Sequence, residues 1–218
     1  MISKIYTLLY QQYGPQGWWP IQGVYKTKKE YTAQERWEII LGAILTQNAA
    51  WKNVEKALQN LPTTDPQVLK NNPQVSTWIR SAGYFNQKTK TINSTIAFFQ
   101  QYPTLQEAAQ DKELRQKLLQ VKGIGPETAD SILLYALQQP YFVVDTYTKR
   151  IFARVGVTKA KVGYEKIQQQ IHKKIDTKNF NEFHALLVEH AKRHCTKQNP
   201  RCTDCPLNRV CTYAKTHK

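Results

Sequence analysis

Apolar residues recur at helical spacing along most of the chain. Ile5, Leu8 and Leu9 share one face of a helix predicted over residues 1–12. Thr32 and Glu35 have the spacing of a capping box and predict the start of a second helix. More helices are predicted at residues 51–58, 86–99, 105–119, 128–137, 146–155, 164–175 and 179–193. A strand-like pattern at residues 141–144 is too short to anchor a sheet. The pattern therefore predicts an all-α fold of about ten short helices.

Composition narrows the range of partners. The 218 residues suit one large domain or two small ones that share a core, and the 41% hydrophobic content excludes a disordered chain. A formal net charge of +15 predicts a polyanionic partner, with nucleic acid first and an anionic membrane surface second. Residues 145–218 hold 16 basic and six acidic residues, so most of the excess lies in the last third of the chain. A plain solvated basic surface is the alternative.

Two further features argue against a membrane protein. No apolar run approaches the roughly 18–20 residues that cross a bilayer. The first ten residues are too polar and too short for a signal peptide. We therefore expect a cytoplasmic, nucleoid-associated protein with no membrane partner.

Four cysteines fall within 17 residues near the C-terminus. Cys195, Cys202, Cys205 and Cys211 are separated by six, two and five residues. Two disulfides are one interpretation, but a cytoplasmic chain keeps its thiols reduced. Zinc bound by four cysteines usually uses two Cys-x-x-Cys pairs, and this segment has one. Uneven loops suit an iron–sulfur cluster better, so the spacing favours a cluster and leaves zinc as the alternative.

A glycine hairpin follows the helix predicted to end at Leu119. Gly123 and Gly125 flank Ile124, and Pro126 is placed to begin the next helix. Glycines let a partner approach the backbone closely, and free N–H groups at a helix start can bind phosphate. An ordinary helix–turn–helix connection is the alternative.

An aspartate follows one helix beyond the hairpin. Asp145 comes directly after Val143 and Val144 and precedes a predicted helix. A lone aspartate in this position most often serves as an N-cap. Its position after the hairpin and before the cysteines makes Asp145 a candidate functional residue.

Together these motifs resemble the endonuclease III branch of the helix–hairpin–helix DNA glycosylases. The resemblance rests on residues 119–129, Val144-Asp145-Thr146 and the cysteine spacing, and it covers roughly residues 30–211. It implies an all-α, two-lobed fold with a DNA cleft between the lobes. One lobe would be a six-helix barrel at residues 30–135. The other would combine 1–29 with 136–218 and carry a [4Fe–4S] cluster on the C-terminal cysteine loop. Asp145 matches the catalytic aspartate, and Gly123, Ile124 and Gly125 match the DNA-binding hairpin.

One departure from the family changes the expected chemistry. Bifunctional members carry a lysine at the position of Glu127, and that lysine forms a Schiff base that breaks the strand. A carboxylate cannot form a Schiff base. Glu127 is therefore only an active-site neighbour or an acidic residue of a first helical turn. The resemblance thus implies a monofunctional glycosylase.

Further motifs resemble the 3-methyladenine glycosylase subgroup. These are Trp18-Trp19-Pro20, residues 45–48 and residues 83–88. Known members of that subgroup can lack the cluster, whereas this chain keeps all four cysteines. An alkylated purine is cationic and leaves easily, so one carboxylate and a stacking pocket suffice. Trp18 and Trp19 are candidates to sandwich the base, with core packing as the alternative; Trp37 and Trp51 are expected in the core.

The remaining candidates concern DNA contacts. In the family a polar residue between two helices fills the gap left by the flipped base, and Gln47 or Asn48 has that position. Lys88 and Lys122 are predicted phosphate contacts, with a solvated side chain as the default for Lys88. His184 and His190 are expected to be structural or near the cluster. The expected partner is double-stranded DNA with a damaged or mismatched base, bound by a monomer.

Three other functions stay open from the sequence. A thymine or uracil mismatch glycosylase would share Asp145 and would need no lysine. A bifunctional enzyme could use another lysine as its nucleophile. A non-catalytic DNA-binding or redox-sensing module would use only the hairpin and the cluster.

Overall fold

The computed structural model describes residues 1–25, 29–159 and 161–216 and is mainly helical. Its α-helices are α1 (Ile2–Tyr13), α2 (Ala33–Leu45), α3 (Trp51–Asn60), α4 (Pro66–Leu69), α5 (Val75–Trp78), α6 (Phe85–Phe99), α7 (Leu105–Ala108), α8 (Leu114–Gln120), α9 (Pro126–Ser131), α10 (Thr146–Val155), α11 (Tyr164–His172), α12 (Phe180–Arg193) and α13 (Thr212–Thr216). Short 3-10 turns lie at Arg80–Ala82, Thr177–Asn179 and Asn208–Val210, and a π-helical segment, Ile132–Ala136, continues α9. Within the described ranges β-structure is limited to an isolated bridge between Ile21 and Val24, so the all-α prediction is confirmed. None of the described helices is both long enough and apolar enough to span a bilayer.

The chain divides into two compact units. The central unit is residues 19–139, and the terminal unit combines residues 1–18 with 140–218. The lobes expected from the sequence placed residues 19–25 and 136–139 with the terminal segments; the structure groups both with the central unit.

The core of the central unit is built around α2. Residues 36–45 of this helix are all buried, and α2 packs against α3, α6, α9 and the π-helical segment. Gly42 lets the Trp19 indole lie against the helix, because a Cβ there would be 2.8 Å from Trp19 Cζ2. Buried Arg36 donates to the carbonyl oxygens of Tyr31 and Ala136. Ala136 is the last residue of the π-helical segment, so Arg36 satisfies a backbone acceptor at its end.

The core of the terminal unit is built around α12, which packs against α1 and α10. Phe180 and Phe183 of α12 are fully buried and contact the Phe142 ring at centroid distances of 5.7 and 5.5 Å. Helix α13 packs on α10. Gly156 ends α10 with φ of 89°, and a Cβ there would lie 2.6 Å from Thr212 Oγ1, so the turn requires glycine.

One predicted helix is divided in the structure. The pattern predicted a continuous helix at residues 105–119, but α7 and α8 are separate. Asp111 accounts for the break, because its carboxylate accepts the Glu113 N–H at 2.9 Å and the Tyr102 hydroxyl at 2.7 Å. A side chain that bonds the backbone two residues on forms a turn that competes with the helix.

Candidate functional site

Asp145 is a buried carboxylate at the start of α10. Its Oδ1 accepts the Thr148 N–H at 2.7 Å, so the N-cap role is real. Its Oδ2 lies 3.6 Å from His184 Nε2, and the residue is 7% exposed. Burial alone would raise the pKa of Asp145, but the His184 imidazole and the Thr148 N–H hold that pKa below its ordinary value. The site therefore keeps a negative charge in a nearly dry environment.

His184 is a residue that sequence reasoning missed. It was expected to be structural or near the cluster, yet it faces the Asp145 carboxylate from α12. The two residues are 39 positions apart in the sequence, and no local pattern links them. Only the packing of α12 against α10 brings them together.

The glycine hairpin joins α8 to α9. Gly123 has φ of 93°, and a Cβ there would lie 2.1 Å from Thr91 Oγ1. At Gly125 a Cβ would meet no atom within 4 Å, so the backbone faces open space there. The side chain of Ile124 is buried, and its N–H donates to the Val121 carbonyl. It anchors the hairpin from inside.

Two charged residues flank the hairpin. Lys122 is exposed, as a phosphate contact requires. Glu127 is also exposed and lies in the first turn of α9. A carboxylate there is favourable for the helix dipole.

Gln47 and Asn48 have different surroundings. Gln47 Nε2 donates to the Gly123 carbonyl and to Thr128 Oγ1, both at 2.9 Å. Asn48 is exposed and has a left-handed backbone with φ of 51°. The structure therefore assigns Gln47 to holding the hairpin and leaves Asn48 at the surface.

Lys88 does not make the phosphate contact predicted for it. The residue is 2% exposed, and its Nζ donates to the carbonyl oxygens of Leu45 and Ala82, each at 2.8 Å. Burial lowers the pKa of Lys88 to about 8. Neither the predicted phosphate contact nor the solvated default describes this lysine.

Tyr84 was not singled out from the sequence. It is 71% exposed and precedes α6 with a left-handed backbone at φ of 47°. An exposed aromatic residue with this backbone conformation is unusual, because residues other than glycine and asparagine rarely adopt it. A Gly-Tyr turn in the sequence was the available signal.

The two neighbouring tryptophans do not form the predicted pair. Trp19 is buried in the central unit, edge-on to the rings of Trp51 and Tyr135, so its role is core packing. Trp18 belongs to the terminal unit and is half-buried, and the Lys192 ammonium lies 5.8 Å from its ring centroid. Trp51, expected in the core, is only half-buried.

The four cysteines line one cavity of the terminal unit. Cys195, Cys202, Cys205 and Cys211 share its lining with residues of α10 and α12. Burial, and then the neighbouring cysteines, raise the pKa of Cys202 and raise that of Cys205 to about 11. Within the described residues no three His, Cys, Asp or Glu side chains are already arranged as a metal site. The shared cavity nevertheless offers the soft donors that a cluster needs.

Arginines of α10 hold the cysteine segment. Arg150 Nε donates to the Cys195 carbonyl at 2.8 Å. Arg154 donates to the Thr196 and Lys197 carbonyls and lies 3.4 Å from Cys195 Sγ, with its guanidinium over the Tyr213 ring. Neither arginine was singled out from the sequence.

Two sequence comparisons relate the chain to known proteins. The family model described as "HhH-GPD superfamily base excision DNA repair protein" matches residues 41–177, which is more than half of the chain. The Methanocaldococcus jannaschii protein named "Putative DNA repair glycosylase MJ1434" is 42% identical over 223 residues, covering 97% of this chain and 96% of that protein.

Two solved structures extend the comparison. A trapped endonuclease III–DNA covalent intermediate has a TM-score of 0.80 at 20% identity, covering 99% of this chain and 98% of the other. At that identity the match shows a similar fold. The H. pylori 3-methyladenine DNA glycosylase bound to 1,N6-ethenoadenine has a TM-score of 0.67 at 25% identity, covering 88% of this chain and 97% of the other.

Proposed function

The chain belongs to the HhH-GPD superfamily of base excision DNA repair proteins, and from that premise we propose that it is a monofunctional DNA glycosylase for alkylated purines such as 3-methyladenine. The observation that carries the proposal is the buried Asp145, kept ionised beside His184. A fixed negative charge is what a cationic sugar requires of its surroundings.

Asp145 would act on the sugar. When the bond between C1′ and the base breaks, the electron pair stays on the base and cancels the charge of the alkylated purine. The sugar then carries the positive charge, which the carboxylate stabilises. A water oxygen bonds to C1′ and gives its proton to solvent, with Asp145 orienting the water. A lowered pKa makes Asp145 a weak base, so electrostatic stabilisation is its main role.

Glu127 supports hydrolysis without strand cleavage. A lyase needs an amine that attacks C1′ and loses water to give an imine, and a carboxylate cannot do so. Lys88 is an unsuitable substitute, because its Nζ is buried against two carbonyl groups.

Binding to duplex DNA would use surface loops of the central unit. The open backbone at Gly125 and the exposed Lys122 suit a phosphate. Asn48 is the better candidate for filling the gap left by a flipped base, because Gln47 is already bonded to the hairpin. Trp18 is the stacking candidate that remains after Trp19 is assigned to the core. We propose that the protein acts as a monomer in the cytoplasm, associated with the nucleoid.

We propose that Cys195, Cys202, Cys205 and Cys211 hold a [4Fe–4S] cluster. Four soft thiol donors on one cavity fit such a group, and Arg154 next to Cys195 Sγ suits an anionic cluster. When bound, the cluster would supply iron–thiolate bonds that fix the segment. Arg150 and Arg154 would connect the ordered segment to α10 through their hydrogen bonds, and Asp145 caps the start of that helix.

The test is base release from methylated duplex DNA, followed with and without later alkali. We expect free 3-methyladenine, with strand breaks only after alkali. Breaks without alkali would identify a lyase. Release from G·T or G·U duplexes but not from methylated DNA would replace the alkylpurine proposal with a mismatch activity. Salt-sensitive binding with no release from any substrate would indicate a binding module.

A further inference from the structure

Lys88 connects the ends of two helical segments. Leu45 is the last residue of α2, and Ala82 is the last residue of a 3-10 turn. The carbonyl oxygen of each accepts a hydrogen bond from the same ammonium at 2.8 Å. Carbonyl groups at helix ends lack partners within the helix, so Lys88 satisfies two of them at once. Lys88 is almost completely buried. Burying a charged ammonium costs free energy, and its hydrogen bonds to the two carbonyl groups offset that cost.

Shortly after each of these carbonyl groups, the chain has an exposed residue with a left-handed backbone. Asn48 comes three residues after Leu45 and has φ of 51°, and Tyr84 comes two residues after Ala82 and has φ of 47°. Both are exposed at the surface of the central unit. Asparagine adopts such backbone angles more often than most residues, but a tyrosine rarely keeps them unless its surroundings impose them.

The same helix supports the glycine hairpin. Thr91 lies less than one turn beyond Lys88 on α6, and its Oγ1 fills the space where a Cβ of residue 123 would be. Gln47, next to Asn48, donates to the Gly123 carbonyl. The early turns of α6 are therefore the shared support of three surface loops.

We propose that Lys88 is a positioning residue that ties the Asn48 and Tyr84 loops together, so that both side chains engage DNA as one unit. An asparagine amide can bond the edge of an unpaired base, and a tyrosine ring can stack on any base. Independent loops would each have to be ordered on binding, whereas linked loops are ordered once. The inference rests on the proposed DNA glycosylase function, because it needs a duplex that opens.

The experiment reads DNA opening without catalysis. The probe is a duplex with a tetrahydrofuran abasic analogue and 2-aminopurine in the opposite strand, whose fluorescence rises when the base unstacks. Asn48→Ala, Tyr84→Ala and the double variant are compared in the full chain and in Lys88→Met. We expect each single change to weaken binding by about tenfold and the double change to add little, because the loops act together. Lys88→Met alone is expected to give a similar loss, and Tyr84→Ala should add little to it.

Lys90→Met is the matched control, because Lys90 is an exposed lysine on the same helix. It removes a charge but should leave the coupling between Asn48 and Tyr84 intact. Melting temperatures separate loss of fold from loss of positioning. If Lys88→Met does not fold, Lys88→Gln, whose shorter neutral side chain does not reproduce the two ammonium bonds, takes its place with the same expected loss. Losses at Asn48 and Tyr84 that simply multiply would overturn the proposal, as would a folded Lys88→Met that opens DNA normally. A chain that binds no duplex would instead contradict the proposed function.

Discussion

At the scale of residues, the chemistry depends on what keeps Asp145 charged. The carboxylate is buried, which favours its neutral form, and its two oxygens face a backbone N–H and an imidazole, which favour the anion. The pKa of Asp145 is lowered overall, so the charged form is favoured. Asp145 thus combines a structural task, capping α10, with the proposed stabilisation of the sugar cation.

Asp145→Asn separates these two tasks. The amide oxygen can still accept the Thr148 N–H, but the charge is gone, so we expect single-turnover base release to fall by about a thousandfold. Binding to the abasic-analogue duplex should persist. Asp176→Asn is the control, because Asp176 also caps a helical turn of the terminal unit and accepts the Lys178 N–H. Equal losses in both variants would assign Asp145 to folding alone.

His184→Gln tests the electrostatic role of the imidazole. Asp145 must be ionised to act, so activity is present above its pKa and is lost as pH falls through it. Because His184 lowers that pKa, removing the imidazole raises it. We therefore expect the acid limb of the rate–pH profile to move to higher pH, measured as single-turnover rates. His172→Gln, which removes a histidine stacked on Phe180, should leave that limb in place. An unmoved limb in His184→Gln would show that the imidazole does not tune Asp145.

The sequence singled out candidate residues for the site, but it did not show their surroundings. Asp145 and the hairpin glycines stand in local motifs, so they could be predicted. The burial of Lys88 and Trp19 could not, because a lysine or tryptophan near a turn is compatible with either surface or core. Lys88 is buried where the ends of two helical segments supply carbonyl groups that accept from its ammonium.

At the scale of elements, the hairpin is held by a buried ion pair. Arg115 of α8 bonds both carboxylate oxygens of Asp130 in α9, at 2.6 and 3.0 Å. The Asp130 side chain is fully buried, and that of Arg115 is 13% exposed. The pair fixes the two helices that the glycine turn joins, and its two-pronged geometry fixes their relative rotation.

Breaking this pair should loosen the hairpin. Asp130→Asn leaves a buried guanidinium without its carboxylate, and we expect a loss of about 3–5 kcal/mol in the free energy of unfolding. Urea titration measures it. Glu113→Gln, which removes an exposed partner of Lys117 on α8, should change that free energy by less than about 1 kcal/mol. A small effect of Asp130→Asn would mean that the ion pair is not needed to hold the turn.

The cysteine segment should depend on its cluster. Cys205→Ala removes one proposed ligand, so we expect loss of visible absorbance and of iron, with a melting temperature lowered by roughly 5–10 °C. Thr203→Ala, an exposed change in the same segment, is the control and should keep both. A colourless, zinc-containing wild type with full stability would contradict the cluster.

Element boundaries were predictable where the signals are local. Helix α10 runs from Thr146 to Val155 as predicted, because Asp145 caps its start and Gly156 ends it. The interval from 105 to 119 was read as one helix, because its apolar spacing continues across Asp111. The competing bonds of that side chain could be seen only in the structure.

At the scale of the whole molecule, positive charge at the surface contributes to DNA affinity, and packing determines which lysine side chains reach the surface. The chain carries a formal net charge of +15, concentrated in residues 145–218. A lysine contributes to phosphate binding only if its ammonium reaches the surface. Lys122 meets that condition and Lys88 does not, although the sequence assigned both to phosphates.

The salt dependence of DNA affinity distinguishes these two lysines. Each phosphate contact that is removed should reduce the slope of log K against log[salt] by about 1. We therefore expect Lys122→Met to lower both the affinity and the slope. Lys88→Met should lower the affinity with an unchanged slope, because its ammonium bonds backbone carbonyl groups and releases no counterion. Fluorescence titrations of one duplex over a range of salt concentrations measure both. A lower slope for Lys88→Met would mean that the ammonium leaves its two carbonyl groups and reaches a phosphate when DNA binds.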